Sequence, residues 1–207
     1  MPPNAQIDFL DAQQDRSKKT LEDLLEAAYA IVDDAETSAF NSRNLADKSG
    51  YALGTLNKRL GSVENVFIWA IEKGRNVKIQ SILDYIAQFN PHSTIQEYAE
   101  HIVDMTFNGI GIVGPPVIRY YEAKLFKKDG VTTDSMNYVD VFIEPLQRLA
   151  KANQTNTFRK LSQNELSLML RLLQQLIERP FVNGNPIAGT SEHRKIAIDT
   201  IIRLLGK

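Results

Sequence analysis

The stretch that most limits what this 207-residue chain can fold into is residues 41 to 62. A short helical pattern starts there with Asn41 or Ser42 as its N-cap and runs through Lys48. Either side chain offers an oxygen to the free amides of a first turn. Gly50 then supplies the left-handed conformation that ends a helix without a Cβ penalty. A second short helix reads from about Ala52 to Leu60, and Gly61-Ser62 breaks the chain again. Two short helices on either side of a tight glycine-containing turn form a helix-turn-helix unit.

The flanking patterns are helical too. Leu21, Leu24, Leu25, Ala28, Ile31, Val32 and Ala35 recur at three- and four-residue steps, the apolar stripe of an amphipathic helix. After Ser62 a long helix is expected from Val63 to about Phe89, apolar on all sides across Val66–Ile71 and so in need of cover all round. Further helices are expected at Thr94–Phe107, from Pro116 to about Lys127, and at 133–152, 162–179 and 191–205. Gly109 to Pro116 reads as a loop and Pro180 to Gly189 as a longer connection. No segment carries a strand pattern, so the fold class is all-α: an N-terminal helix-turn-helix domain plus a larger helical domain. The expected division is an acidic arm at 1–15, a small domain at 16–62 and a larger one at 63–207.

At 3.6 residues per turn, Leu53, Leu56 and Leu60 fall on one side of the second short helix and are expected to face its neighbours. Gly54, Thr55, Lys58 and Arg59 fall on the other side, with Ala52 and Asn57 at the edges. That outer face is small at its start and basic at its end. Between Asn41 and Ser62 the charges are Arg43, Lys48, Lys58 and Arg59 against Asp47 alone, within a chain of net charge -1. Small residues let a helix approach base edges, and Lys or Arg reaches phosphates or guanine. Such charges also suit a plain solvated face; position on the second helix of a tight turn favours the groove-reading alternative.

The runs Phe40-Asn41-Ser42-Arg43-Asn44-Leu45-Ala46, Gly50-Tyr51-Ala52-Leu53-Gly54-Thr55-Leu56 and Leu60-Gly61-Ser62-Val63-Glu64 resemble the DNA-binding domain of TetR-type repressors over about residues 17 to 70. The resemblance implies a regulator that binds double-stranded DNA at a palindromic operator as a homodimer and is released by a small-molecule effector. It places Arg43 near the DNA backbone and Tyr51, Ala52 and Thr55 where the recognition helix meets bases and phosphates. It places Lys58 and Arg59 at the backbone or base edges, and Ser62 at a phosphate-binding helix end that the helix dipole favours. Three positions depart from the family pattern. Ala52 stands where an N-cap serine is usual, which costs about 0.5–2 kcal/mol. Asn57 replaces a phosphate-touching tyrosine, and Val63 replaces a lysine. Each phosphate that goes without a protein partner flattens the log-log salt dependence by about 0.9.

The last two helices carry apolar residues around more than one stripe, so one face is expected in the core and another against a second copy through a four-helix contact. Leu166, Met169, Leu173, Ile177, Ile198, Ile202 and Leu205 are the expected interface. Such a dimer would set two recognition helices about 34–36 Å apart. Trp69, Tyr85, His101, Met105, Tyr120, Tyr121, Met136 and Phe142, with Phe107 and Tyr138, are ordinary core or, following the resemblance, walls of an effector pocket.

Composition argues against other classes. There is no cysteine, which excludes a disulfide scaffold and thiolate chemistry. His92, His101 and His193 lie far apart, and no His/Glu pair has metal-ligand spacing. The Gly109–Gly114 stretch lacks the Lys-Ser/Thr of a phosphate-binding loop. No enzymatic role, no cofactor and no metal are therefore expected. The start lacks the basic and apolar regions of a signal peptide. The run Val66–Ile71 is far short of the roughly 20 residues that span a bilayer. A cytoplasmic protein without a membrane partner is expected. Because of Ala52, Asn57 and Val63, the competing expectation is a helical dimer of the same fold that senses a ligand or partner but has lost DNA binding.

Overall fold

The computed structural model describes residues 15–34, 37–60, 62–112, 114–129 and 138–207. The expected arm lies outside them except for Asp15, which opens the first helix. The helices are α1 (Asp15–Asp33), α2 (Ser42–Ser49), α3 (Leu53–Leu60), α4 (Val63–Gln88), α5 (Ile95–Ile112), α6 (Pro115–Asp129), α7 (Ile143–Ala152), α8 (Gln163–Val182) and α9 (Ser191–Leu205). Short 3-10 turns occupy Thr37–Ala39 and Tyr138–Phe142. Among the described residues there is no strand, only an isolated antiparallel bridge between Phe158 and Gly206. The chain is all-α.

Packing divides it into two compact units. One holds α1 to α3, α4 as far as Val77, and α6; the other holds α4 from Lys78, nearly all of α5, and α7 to α9. The first unit is thus larger than the 16–62 segment read from sequence, because Val66, Phe67, Ala70 and Ile71 share one core with Leu24, Leu45 and Leu56. Phe40 stacks on Phe67 with ring centroids 4.8 Å apart and meets the edge of Tyr120 at 5.1 Å. Val117 and Tyr121 bring α6 into the same core. Burial of five of the six residues from Val66 to Ile71 meets the demand for cover all round.

The second unit is built on Ile86, Val103, Phe142, Leu146, Leu173 and Ile201, with Tyr98, Phe89 and Phe158 in mutual edge-on contact. Its chain end is fixed: the Arg159 amide donates to Leu205 O at 2.8 Å and the Lys207 amide to Thr157 O at 2.9 Å. Helix α8 opens on a full capping box between Ser162 and Glu165.

Three expectations are corrected here. The glycine-rich stretch is not a loop up to Pro116: α5 continues to Ile112 and α6 begins at Pro115. Gly109 is helical, and a Cβ there would stand 3.0 Å from Lys78 Cε, so the Lys78 side chain of α4 lies against α5 at this glycine within the second unit. The expected helix over 133–152 is a 3-10 turn followed by α7 from Ile143; residues 133–137 lie outside the described residues. The connection expected from Pro180 starts later, since α8 runs through Pro180 to Val182.

Proline has no N–H to give the carbonyl four residues back. That carbonyl, Leu176 O, lies 3.0 Å from His193 Nε2, while the Gly189 amide donates to His193 Nδ1 at 3.2 Å. The Gly189 bond leaves Nδ1 unprotonated, so Nε2–H donates to Leu176 O. His193 is 2% exposed and packs against the rings of Phe107 and Phe181, which also meet each other edge-on. A side chain from α9 thus replaces the donor that Pro180 removes from α8.

Candidate nucleic-acid interface

The helix-turn-helix is built as its sequence dictates. Asn41 is the N-cap of α2, its side chain accepting from the Asn44 amide at 3.0 Å. Gly50 ends α2 at φ 74°, and its amide donates to Ala46 O at 2.9 Å. Ala52 O then accepts from the Thr55 amide at 2.8 Å, which starts α3 without any side-chain cap from Ala52.

Leu56 and Leu60 are buried and hold α3 in the core of its unit. Leu53, expected beside them, is 47% exposed instead. It is the first residue of α3, about one turn before Leu56 and two before Leu60.

Ala52, Gly54 and Lys58 are exposed and Thr55 is half-buried, so α3 presents a face with small residues first and a cation later. A Cβ built at Gly54 meets nothing within 4 Å. Arg43 and Lys48 are exposed on α2. The side chains of Asn57 and Arg59 lie outside what is described. Tyr51 is half-buried, and its hydroxyl donates to Asp23 Oδ2 on α1 at 2.7 Å. That bond is the largest influence raising the Tyr51 pKa above its ordinary value. Sequence reasoning missed Asp23, because no local pattern links residues 28 positions apart.

Ser62 is the N-terminal residue before α4, and its Oγ accepts from the Asn65 amide at 3.5 Å. Glu64 in that first turn is engaged by Lys124 Nζ at 3.0 Å, which offsets its charge beside an end suited to anions.

The expected pocket residues are divided between the two units. Trp69, Tyr120 and Tyr121 belong to the first unit, where Tyr121 donates to Glu72 Oε1 at 2.9 Å and burial pushes its hydroxyl up to about 12. Tyr85, His101, Met105 and Phe142 belong to the second. There the exposed ring of His101 stacks on Tyr85 at 4.0 Å. Phe142 and Tyr138 line a narrow cleft of about 80 Å³, beside Ile86, Ile102, Thr106 and Leu173. Met136 lies outside the described residues.

The expected interface residues all lie in the second unit. Leu166, Leu173, Ile177, Ile198 and Leu205 are buried in their own unit, and Met169 and Ile202 pack against that core. A side chain already covered by its own chain has little surface to give to a partner. The apolar residues that α8 and α9 leave open are Leu168 (70% exposed), Leu172 (55%) and Ile196 (39%).

Among the described residues no group of three or more His, Asp or Glu side chains could hold a metal, and no helix is long and apolar enough to cross a membrane.

No family model and no curated protein matches the sequence. Solved structures do match the fold. A TetR-family member from Streptomyces coelicolor A3 superposes with a TM-score of 0.54 at 12% identity, over 90% of this chain and 98% of that one. A TetR transcriptional regulator from Rhodococcus sp. RHA1 gives 0.50 at 14% identity, over 91% and 97%. The chain has the TetR-type regulator fold, a helix-turn-helix unit followed by a helical body.

Proposed function

We propose that the protein is a DNA-binding transcription regulator, and that as a homodimer it represses from a palindromic operator until a small apolar or amphipathic effector releases it. The observation that carries this reading is the outward face of α3: Ala52, Gly54 and Lys58 are open to solvent while Leu56 and Leu60 anchor the helix from behind. A helix held by two leucines and bare on its other side can enter a major groove. Arg43 and Lys48 on α2, and the capped start of α4 at Ser62, supply contacts for the flanking phosphates.

The dimer is supported by the exposed leucines of α8. Leu168 and Leu172 are one helical turn apart, and Ile196 adds a third open apolar side chain on α9. The effector reading is supported by the cleft beside Phe142. Its 80 Å³ is below the about 300 Å³ at which ligand pockets start, so an occupant must widen it. Ile82 and Ile86 of α4 line that cleft, and the same helix carries Phe67 in the core of the other unit. An occupant that moves α4 changes DNA affinity only as far as it binds the two states differently.

Selection of genomic fragments by the purified protein tests the reading, followed by gel shifts on the recovered sequence. A palindromic motif bound by a dimer is the expected outcome. Lys58→Ala should weaken binding across all sequences and, since each dimer loses two lysines, lower the log-log salt slope by about 1.8, with the dimer intact in sedimentation. A folded dimer that retains no fragment at low salt would make this a helical sensor without a DNA function.

A further inference from the structure

The second unit holds another cavity, away from the cleft beside Phe142. It is an open cleft of about 320 Å³ where the N-terminal end of α8 and the C-terminal half of α7 meet the segment before α8 and the end of α9. Its floor is Leu146, Phe158, Leu166 and Leu205, each at most 5% exposed. Its charged lining residues are Lys151, Arg159 and Lys160, and no carboxylate lines it. Glu165, whose carboxylate feels the charge of Arg159, is committed to Ser162: it accepts from the Ser162 amide at 2.9 Å and from Oγ at 2.7 Å.

The walls are fixed before anything binds. Arg159 is held by its amide to Leu205 O at 2.8 Å and by Nη1 to Leu204 O at 3.0 Å. Gln147 Nε2 donates to Leu161 O at 3.2 Å, tying the other end of that strip to α7. A cleft whose backbone is already pinned needs little ordering on binding. Lys151 and Lys160 are exposed, so their ammonium groups can swing to a ligand at the mouth.

We infer that this cleft binds an amphipathic anion, a small molecule with one anionic head and an apolar tail. The tail would lie on Phe158 and the leucine floor, and the head would be met by Lys151, Lys160 and the free edge of the Arg159 guanidinium. A volume of 320 Å³ stands at the small end of ligand pockets, which fits a medium-length chain and not a long one. The inference stands apart from DNA binding, since none of these residues belongs to the α2–α3 face.

Calorimetric titration of the full-length protein with octanoate, octan-1-ol and octylamine tests it, with amide NMR to place the binding. Octanoate should bind, octan-1-ol at least about tenfold more weakly and octylamine not at all, since a hydrogen bond to a charged group is worth about a factor of ten. Amide shifts should centre on Phe158 to Leu161. The pair Lys151→Gln with Lys160→Gln changes only exposed side chains and should cut octanoate affinity about tenfold with an unchanged melting temperature. Ala150→Phe, which puts a ring into the cleft, should abolish binding. Equal affinity for the alcohol and the acid would overturn the inference, as would octanoate binding unaffected by the lysine pair or shifts confined to the cleft beside Phe142.

Discussion

Helices α2 and α3 and helices α8 and α9 are both pairs built on apolar stripes, and they dispose of those stripes in different ways. The short pair buries Leu45, Ala46, Leu56 and Leu60 and turns mostly small or polar side chains outward. The long pair buries Leu166, Leu170, Leu173 and Ile177 on α8 and Ala197, Ile198, Ile201 and Leu205 on α9, and still leaves Leu168, Leu172 and Ile196 open. In an eight-residue helix against one core, the apolar residues are nearly all needed for anchorage, so the rest of the helix is free to meet something polar. In a helix of 20 residues the core is satisfied and apolar residues are left over. The surplus, not the stripe itself, is what points to a partner.

The largest effects should come from leucines that this comparison separates. Leu56→Ala and Leu173→Ala each remove a buried side chain, and each should cost about 2–5 kcal/mol of folding stability. Leu53→Ala and Leu168→Ala remove exposed ones and should change the stability of the isolated chain by less than about 0.5 kcal/mol. Denaturant titration at concentrations where sedimentation shows a monomer reads all four. A costly Leu168→Ala under those conditions would show that this side chain is core after all, and the distinction between stripe and surplus would fail.

The turns differ as much as the stripes. Gly50 links α2 to α3 in a tight turn closed by local bonds, whereas α8 reaches α9 through a longer connection fastened by His193. Removing that fastening comes next in size. His193→Ala leaves the half-buried Leu176 carbonyl without its donor and should cost about 1–3 kcal/mol. Pro180→Ala restores an N–H to that same carbonyl, so the cost of His193→Ala should be smaller in the Pro180→Ala background. Equal costs in the two backgrounds would mean that the histidine acts through its packing on Phe107 and Phe181.

How much of this was legible in the sequence follows the same divide. The α2–α3 unit was readable almost to the residue, because its caps are local: Asn41 bonds three residues ahead and Gly50 closes on Ala46. Gly109 and Gly111 look no different from Gly50 as letters, yet they lie inside α5. What decides between ending a helix and admitting a neighbour is the partner, here Lys78, some thirty residues away in sequence. Pro180 misled for the same reason, since the donor that compensates it comes from α9. The proposed docking face needed only helical periodicity. The choice between core and interface on α8 and α9 needed the third dimension, because both surfaces ask for the same residue types. Tyr51 lies between these cases: its place at the start of α3 was legible, its bond to Asp23 was not.

The smallest effect concerns how α9 is tied sideways to α5, a constraint with no counterpart on α3. Arg194 Nε and Nη2 donate to the two carboxylate oxygens of Asp104 at 2.7 and 2.9 Å. These bonds, more than the accompanying charge attraction, hold the Asp104 pKa below its ordinary value, with desolvation opposing them. A carboxylate whose folded-state pKa is lowered adds stability above its unfolded value of about 3.9 and loses it as pH falls through the folded value. Both side chains are more than 40% exposed, so solvent screens the pair and its worth is at most about 1 kcal/mol. Asp104→Asn should therefore lower the melting temperature slightly at pH 7, and the gap to the parent protein should close as the pH is taken below the carboxylate range. Melting curves from pH 7 to about pH 3 check this. A gap that stayed constant over that range would assign the Asp104 contribution to neutral hydrogen bonding, with no part for the carboxylate charge in holding α9 to α5.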